Sequence, residues 1–429
     1  MPLGNKLATV LVSGCFTIAF NCYGAMDSEV SVGTSARWID NVFFTETDRL
    51  SDTLTTVYTN ISLSQVAEAT EFDINYELFR EIYLEDSFDS QNYYQGSANF
   101  NVHLLPNRLS WISSLSSGVT QRDSIGVDIP TNRDQRNYAE TGLEFVMLNS
   151  GRDRVALLPS VSATRFREAS FNDNDRAALN VGWIHRISSI LETGVNCDGE
   201  KVDFKDGEGD YDSARCNVHL QRTLRQGVIA MELGKRKINP ALGEPIDGTA
   251  YNVDMNWVEN RHNFRLSAAR DIVDNTQSFF GEDSQIGDFP TEVNTDLKSL
   301  SVRKRVDVRY GYAISRNDLV ELGAFLDSDD VYDSNQDTDR TGVNLNYTRA
   351  LSRQTDARFS YAFLKTVFAD ATVDENVDYD DSYQFTLTRA FSRQLDAYCA
   401  LLAETRRAQQ DGQDYEVYSF QLGVEYTFR

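Results

Sequence analysis

The stretch "YSFQLGVEYTF" near the end of the chain alternates without a break. Tyr418, Phe420, Leu422, Val424, Tyr426 and Phe428 fall on one face of a pleat, and Ser419, Gln421, Gly423, Glu425 and Thr427 on the other. Period two over this length is a strand signal, because successive side chains of an extended backbone point to opposite faces; a helix would scatter the apolar groups around its circumference. The pattern recurs in "YNVDMNW" from Tyr251, "VDVRYGYAI" from Val306, "GVNLNY" from Gly342, "SANFNVHL" from Ser97, "EFDINYEL" from Glu71 and "NVHLQR" from Asn217. One face of each strand is aliphatic and aromatic; the other carries Asn, Asp, Ser, Thr, Arg, Glu and Gly. A soluble barrel places its apolar face inside. Here the polar face is too rich to be the exterior of a packed apolar core of this size, whereas a hydrated lumen accepts it readily and the apolar face then meets lipid. A sheet in lipid must close on itself, since every backbone group needs a partner there.

The connections between strands alternate in kind. Short ones include "LPNR" near Pro106, "NSGR" near Gly151, "HRIS" near Arg186, "VENR" near Asn260 and "ISRND" near Arg316. Long acidic ones include "CDGEKVDFKDGEGDYDSA" from Cys197, "LDSDDVYDSNQDTDR" from Leu326 and "FADATVDENVDYDDS" from Phe368. Two near-identical phrases, "TRALSRQTDA" from Thr348 and "TRAFSRQLDA" from Thr388, lie 40 residues apart. That interval is one hairpin: strand, tight turn, strand, long loop. A propeller blade would need four short strands in the same space. The fold expected is all-β, a transmembrane antiparallel up-and-down barrel of about 18 to 20 strands. Residues 26–429 form it as one domain, with short periplasmic turns and long acidic extracellular loops. In each phrase the serine and arginine form the turn, Arg349 and Arg389 fall in the outward phase, and Asp356 and Asp396 face the lumen. Pro159 cannot donate to a ladder, so a bulge or early turn is expected beside it. Residues 271–305 fit no simple hairpin and suggest a loop folded into the lumen.

The first 25 residues read as a signal peptide: one lysine, the apolar "LATVLVSGCFTIAF", and small residues before the cut. "VSGC" also resembles a lipobox ending at Cys15, although the apolar run continues past it. Three cysteines remain in the mature chain. Cys197 and Cys216 bracket an acidic loop at the ends of neighbouring strands and can pair, whereas Cys399 reads as a lipid-facing filler. The four histidines, His103, His185, His219 and His262, show neither ligand spacing nor a nucleophile motif. His185 and His262 fall at turns. No cofactor, no metal site and no catalysis are expected; the acidic loops read as solvated surface. A formal charge of -24 argues against nucleic acid as a partner.

Phase places Arg215, His219, Asn252, Asp254, Asn256, Arg265, Arg303, Arg305, Arg309, Asn344, Asn346 and Arg358 on the lumen face. Asn217, Gln221, Gln384, Thr386 and Thr388 join them, with Glu140, Glu144, Glu192, Glu232 and Asp307 as acidic members. Two readings of Arg303, Arg305 and Arg309 stand: a basic strip favouring an anionic polymer, or cations neutralising carboxylates across the barrel. Of the aromatic residues, only Tyr58 and Tyr398 read as inward.

Gln421, Gly423, Tyr426 and Phe428 match the outer-membrane assembly signal, which implies the barrel assembly machinery as a partner; the chain departs from the signal in ending on Arg429. The opening "WIDNVFFTETDRLSDTLTTVYTNISLS" from Trp38 and the repeated "LSR" turns resemble the beta-barrel porin 2 family, including EpsL-like barrels of exopolysaccharide operons. The resemblance implies a bacterial outer-membrane conduit for an exopolysaccharide, working with a periplasmic polysaccharide export protein and in contact with outer-membrane lipid and lipopolysaccharide. The alternatives are a structural or adhesive surface barrel, or a general diffusion porin without a dedicated polymer.

Overall fold

The computed structural model describes residues 26–122, 126–274, 276, 285–286, 289–290, 299–332, 337–368, 376–409 and 413–428. The signal segment, Cys15, Arg429 and most of the stretch between 275 and 298 lie outside them. Twenty long strands follow one another: β1 (Met26–Ile39), β2 (Asp52–Val66), β3 (Thr70–Tyr83), β4 (Gln91–Leu105), β5 (Leu109–Gln121), β6 (Arg133–Asn149), β7 (Asp153–Phe166), β8 (Asn174–Ser188), β9 (Leu191–Phe204) and β10 (Tyr211–Thr223) form the first half. The second half is β11 (Gly227–Pro240), β12 (Ile246–Glu259), β13 (His262–Asp274), β14 (Leu300–Ala313), β15 (Asp318–Val331), β16 (Thr338–Ser352), β17 (Thr355–Phe368), β18 (Asn376–Ala390), β19 (Leu395–Arg407) and β20 (Tyr415–Phe428). Each pairs antiparallel with its chain neighbour, and β1 also pairs with β20, from Val30 opposite Phe428 to Ile39 opposite Ser419. That last ladder closes a transmembrane up-and-down barrel of 20 strands.

The facing follows the sequence period. Leu422 is 52% exposed and Phe420 41%, while Ser419 between the β1 and β19 neighbours is 5% exposed. The apolar column therefore looks out to lipid. Belts of rings bound it: Trp183, Tyr310, Tyr426 and Phe428 towards the short turns, and Trp38, Tyr251, Tyr379 and Tyr418 towards the long loops. Such belts sit where hydrocarbon meets headgroup, because the rings are apolar in body and polar at the tip. His185 and His262 are strand residues in the short-turn belt and not turn residues as the sequence suggested. His185 Nδ1 lies 2.8 Å from Asp153 Oδ1, and His262 Nδ1 lies 2.7 Å from the Tyr310 hydroxyl.

The strands run 13 to 17 residues, longer than the ten or so needed for the hydrocarbon. The excess stands at the long-loop end as a collar. Acidic stretches expected to be loops are largely strand. After Cys197, β9 continues to Phe204 and β10 begins at Tyr211; β15 reaches Val331; β18 starts at Asn376. Cys197 and Cys216 accordingly lie within β9 and β10 and not at their ends, directly opposite each other and joined by a disulfide with Cα atoms 4.1 Å apart. Residues 271–274 and 300–305 likewise belong to β13 and β14, and a two-residue pair, Gln285–Ile286 with Phe289–Pro290, lies between them. Pro159 neither turns nor bulges β7. The strand runs through it, and the shift in register falls three to four residues away, between Val146 and Leu148 of β6 opposite Ala156 and Val155.

The two rims differ in charge. Seven of the nine short turns carry an arginine, at positions 108, 152, 225, 261, 316, 353 and 393, all exposed, and the only carboxylate among those turns is Glu68. The ten connections at the other end hold 26 Asp and Glu against five Lys and Arg.

Candidate functional site

The lumen wall is where the polar faces converge. β12 turns Asn252, Asp254 and Asn256 inward, with the Asn252 amide donating to Asp254 at 2.6 Å. β16 contributes Asn344 and Asn346, and β18 contributes Gln384, Thr386 and Thr388. Next to β12, β13 places Arg265 opposite Asn256 and also opposite Arg309 of β14. On β10, Arg215, Asn217, His219 and Gln221 share one face, and Arg358 stands exposed on β17 beside Thr386. These amides and hydroxyls line the wall without gathering into one deep pocket among the described residues.

The basic strip is largely neutralised. Arg303 Nη2 lies 3.2 Å from Asp327 Oδ2, and Arg340 binds the same carboxylate from the neighbouring strand. Arg309 Nε is 3.1 Å from Asp307 Oδ1. Arg215 bridges Asp198 at 2.9 Å and Asp271 at 3.0 Å. Arg305 instead lies over Phe325, its guanidinium carbon 5.5 Å from the ring centre. Of the two readings of Arg303, Arg305 and Arg309, neutralisation describes Arg303 and Arg309, by carboxylates of the adjacent or the same strand and not from across the barrel, and cation–π contact describes Arg305.

Aromatic residues face inward at more positions than Tyr58 and Tyr398. Phe79 and Tyr93 pair in register with ring centres 5.4 Å apart, and Tyr83, Tyr211, Phe325 and Tyr415 are further examples. Tyr83, Tyr211 and Tyr415 lie in the collar and take part in two apolar clusters there. Val202, Phe204, Tyr211, Ile238, Ile272 and Val302 form one. Ile39, Val42, Tyr83 and Val417 form the other, with Phe43, Phe44 and Phe88 from the loops folded onto it.

Beside the first cluster is a buried ionic group that sequence spacing could not reveal. Arg176 of β8 meets Asp274 at the end of β13 at 2.8 Å, with side chains 1% and 0% exposed. The Tyr211 hydroxyl also donates to Asp274, Glu200 lies 3.2 Å from Arg176, and Thr276 accepts from it at 2.7 Å. On a round wall, strands five apart would be about 24 Å from each other along the sheet, out of reach of these two side chains. The β8–β13 sector therefore curls inward at the collar, and the end of β13 is drawn into the mouth.

No family model and no curated protein matches the sequence. Among solved structures, Pseudomonas aeruginosa OccK1 (OpdK) covers 94% of this chain and 98% of its own at 10% identity, with a TM-score of 0.42. A loop-deletion form of OmpT, an outer membrane protein of Vibrio cholerae, covers 95% and 100% at 10% identity and 0.39. The FrpB iron transporter from Neisseria meningitidis covers 94% and 82% at 8% identity and 0.45. All of these scores lie under 0.5; the barrel rests on its own strand register.

Proposed function

We propose that this barrel is a bacterial outer-membrane channel that passes an exopolysaccharide outward, receiving it from a periplasmic export protein at the short-turn end. The observation that carries the reading is the make-up of the inward face. Asn252, Asn256, Asn344, Asn346, Thr386 and Thr388 offer exchangeable hydrogen bonds to sugar hydroxyls. Among the charged residues between them, Arg215, Arg303 and Arg309 are each paired with a carboxylate, which reduces the isolated charge that would hold a polymer in place. A conduit needs binding weak and repeated enough for its cargo to leave. Resemblance to the barrels of exopolysaccharide operons supplies the polymer; the wall chemistry supplies the compatibility.

The test is twofold. In planar bilayers the purified protein is expected to give steady conductance, and replacing Asn344 and Asn346 with leucine is expected to reduce it. Deleting the gene is expected to remove surface polysaccharide while polymer accumulates inside the envelope. Unchanged surface polysaccharide would leave a general porin or a structural barrel in its place.

A further inference from the structure

Lysine is segregated in this chain. Seven lysines follow the leader, and none lies among the short turns, where the cations are arginines. Three of them, with one arginine, meet on the outer wall of β11–β14. Each of these strands carries an outward apolar column: Met231 and Leu233 on β11, Val253 on β12, Leu266 and Ala268 on β13, Val308 and Val306 on β14. Where a column ends towards the long loops, a cation or a ring follows at once. Lys235 and then Lys237 follow Leu233, Tyr251 stands next to Val253, Arg270 follows Ala268, and Lys304 stands next to Val306. Register ties them together: Lys235 pairs with Thr249, Leu233 with Tyr251, Tyr251 with Arg270, and Arg270 with Lys304.

The nearby carboxylates stand one step further from the apolar belt or are already engaged. Asp330 holds Lys304 at 2.6 Å, and Asp247 pairs with Lys237 in the ladder. Arg270 donates to the Thr249 carbonyl, and among the described residues no ion pair or hydrogen bond engages Lys235 or Lys237. Elsewhere at this level Arg165 is matched by Asp175 and Arg407 by Asp381, and Lys365 stands singly on its strand; what sets this patch apart is four cations brought together on adjacent strands. An apolar surface ending in a cluster of cations, two of them without a side-chain partner among the described residues, and a partly exposed tyrosine is complementary to an amphiphile with acyl chains below, phosphates at the boundary and a sugar head above.

We infer that Lys235, Lys237, Arg270, Lys304 and Tyr251 form a binding site for the phosphorylated sugar head of an outer-leaflet glycolipid. Its acyl chains lie along Leu233, Val253 and Val306. The inference rests on the outer-membrane placement with the long loops outside, and not on the identity of any polymer. Guanidinium and ammonium groups grip phosphate by charge-assisted hydrogen bonds, and Tyr251 between them offers a face to a sugar ring.

The experiment is native mass spectrometry of the detergent-purified full barrel titrated with bis-phosphorylated lipid A, dephosphorylated lipid A or inorganic phosphate. Folding of each variant is checked by the heat-dependent gel shift. The native protein is expected to retain bis-phosphorylated lipid A about tenfold or more better than Lys235→Gln/Arg270→Gln. The short-turn pair Arg353→Gln/Arg393→Gln is expected to match the native protein. Should the double variant misfold, Lys235→Gln alone is expected to show a smaller loss in the same direction. Equal retention by native protein and folded variant would overturn the site. So would equal binding of the dephosphorylated lipid, and displacement by inorganic phosphate at equal concentration would reassign it to free phosphate. None of these results alters conductance or export, so a failure here is separable from a failure of the channel reading.

Discussion

Gly33 and Gly423 stand on the two strands that close the barrel, and on each a tyrosine ring from the next strand lies flat. A Cβ built on Gly33 would collide with the Tyr58 ring, and one on Gly423 with the Tyr398 ring. The hydroxyls then reach along the seam. Tyr58 donates to Glu425 at 3.0 Å, and the Gln421 amide donates to the Tyr398 hydroxyl at 3.1 Å. Gly33→Ala is therefore expected to destabilise the barrel by about 1–3 kcal/mol in urea unfolding, the range for forcing a methyl into a filled site. Adding Tyr58→Ala should recover part of the loss; no recovery would show that the ring is not the obstacle. At the collar, Asp274→Ala would leave the buried Arg176 with Glu200 as its one remaining carboxylate, and the expected cost is about 3 kcal/mol. An unfolding midpoint indistinguishable from the native one would refute that role for the pair.

At the scale of the strand, adjacent positions on β16 put the facing to a direct test. Leu345 looks to lipid and Asn346 to the lumen. Leu345→Arg is expected to cost roughly 2–4 kcal/mol and Asn346→Arg about 0.5 kcal/mol or less, so similar costs would invert or void the assignment. The disulfide fixes β9 to β10, and replacing both Cys197 and Cys216 with serine should lower stability by about 2–4 kcal/mol, read as a shift between oxidised native and variant unfolding curves. What could be read from the sequence was set by where lipid is. Along the belt, alternation is strict because one neighbour is hydrocarbon and the other is water, so the strands and the phases of Asn252 or Arg265 were legible. Above the belt both faces meet water or protein. There Lys201 and Asp203 look outward while Val202 and Phe204 look inward, the alternation reverses its sign, and the acidic run after Cys197 reads as a loop. The partnership of Arg176 with Asp274 was illegible for a different reason: it depends on how five strands curl, which no local pattern records.

For the whole molecule, the wall chemistry sets a limit on selectivity. Most lumen arginines are held by lumen aspartates, so the midsection discriminates weakly by charge and the two rims dominate the field. On the channel reading proposed above, the arginines of the short turns and the carboxylates of the long loops would make the lumen a bipolar ionic diode. With the long-loop side positive, cations are drawn in through the acidic mouth and anions through the basic one, so carriers accumulate in the lumen; with the sign reversed, both mouths deplete it. Single-channel currents in low salt should therefore be larger at that polarity. Molar salt should straighten the current–voltage curve by screening the rims, and replacing the turn arginines at 316, 353 and 393 with glutamine should flatten it at every ionic strength.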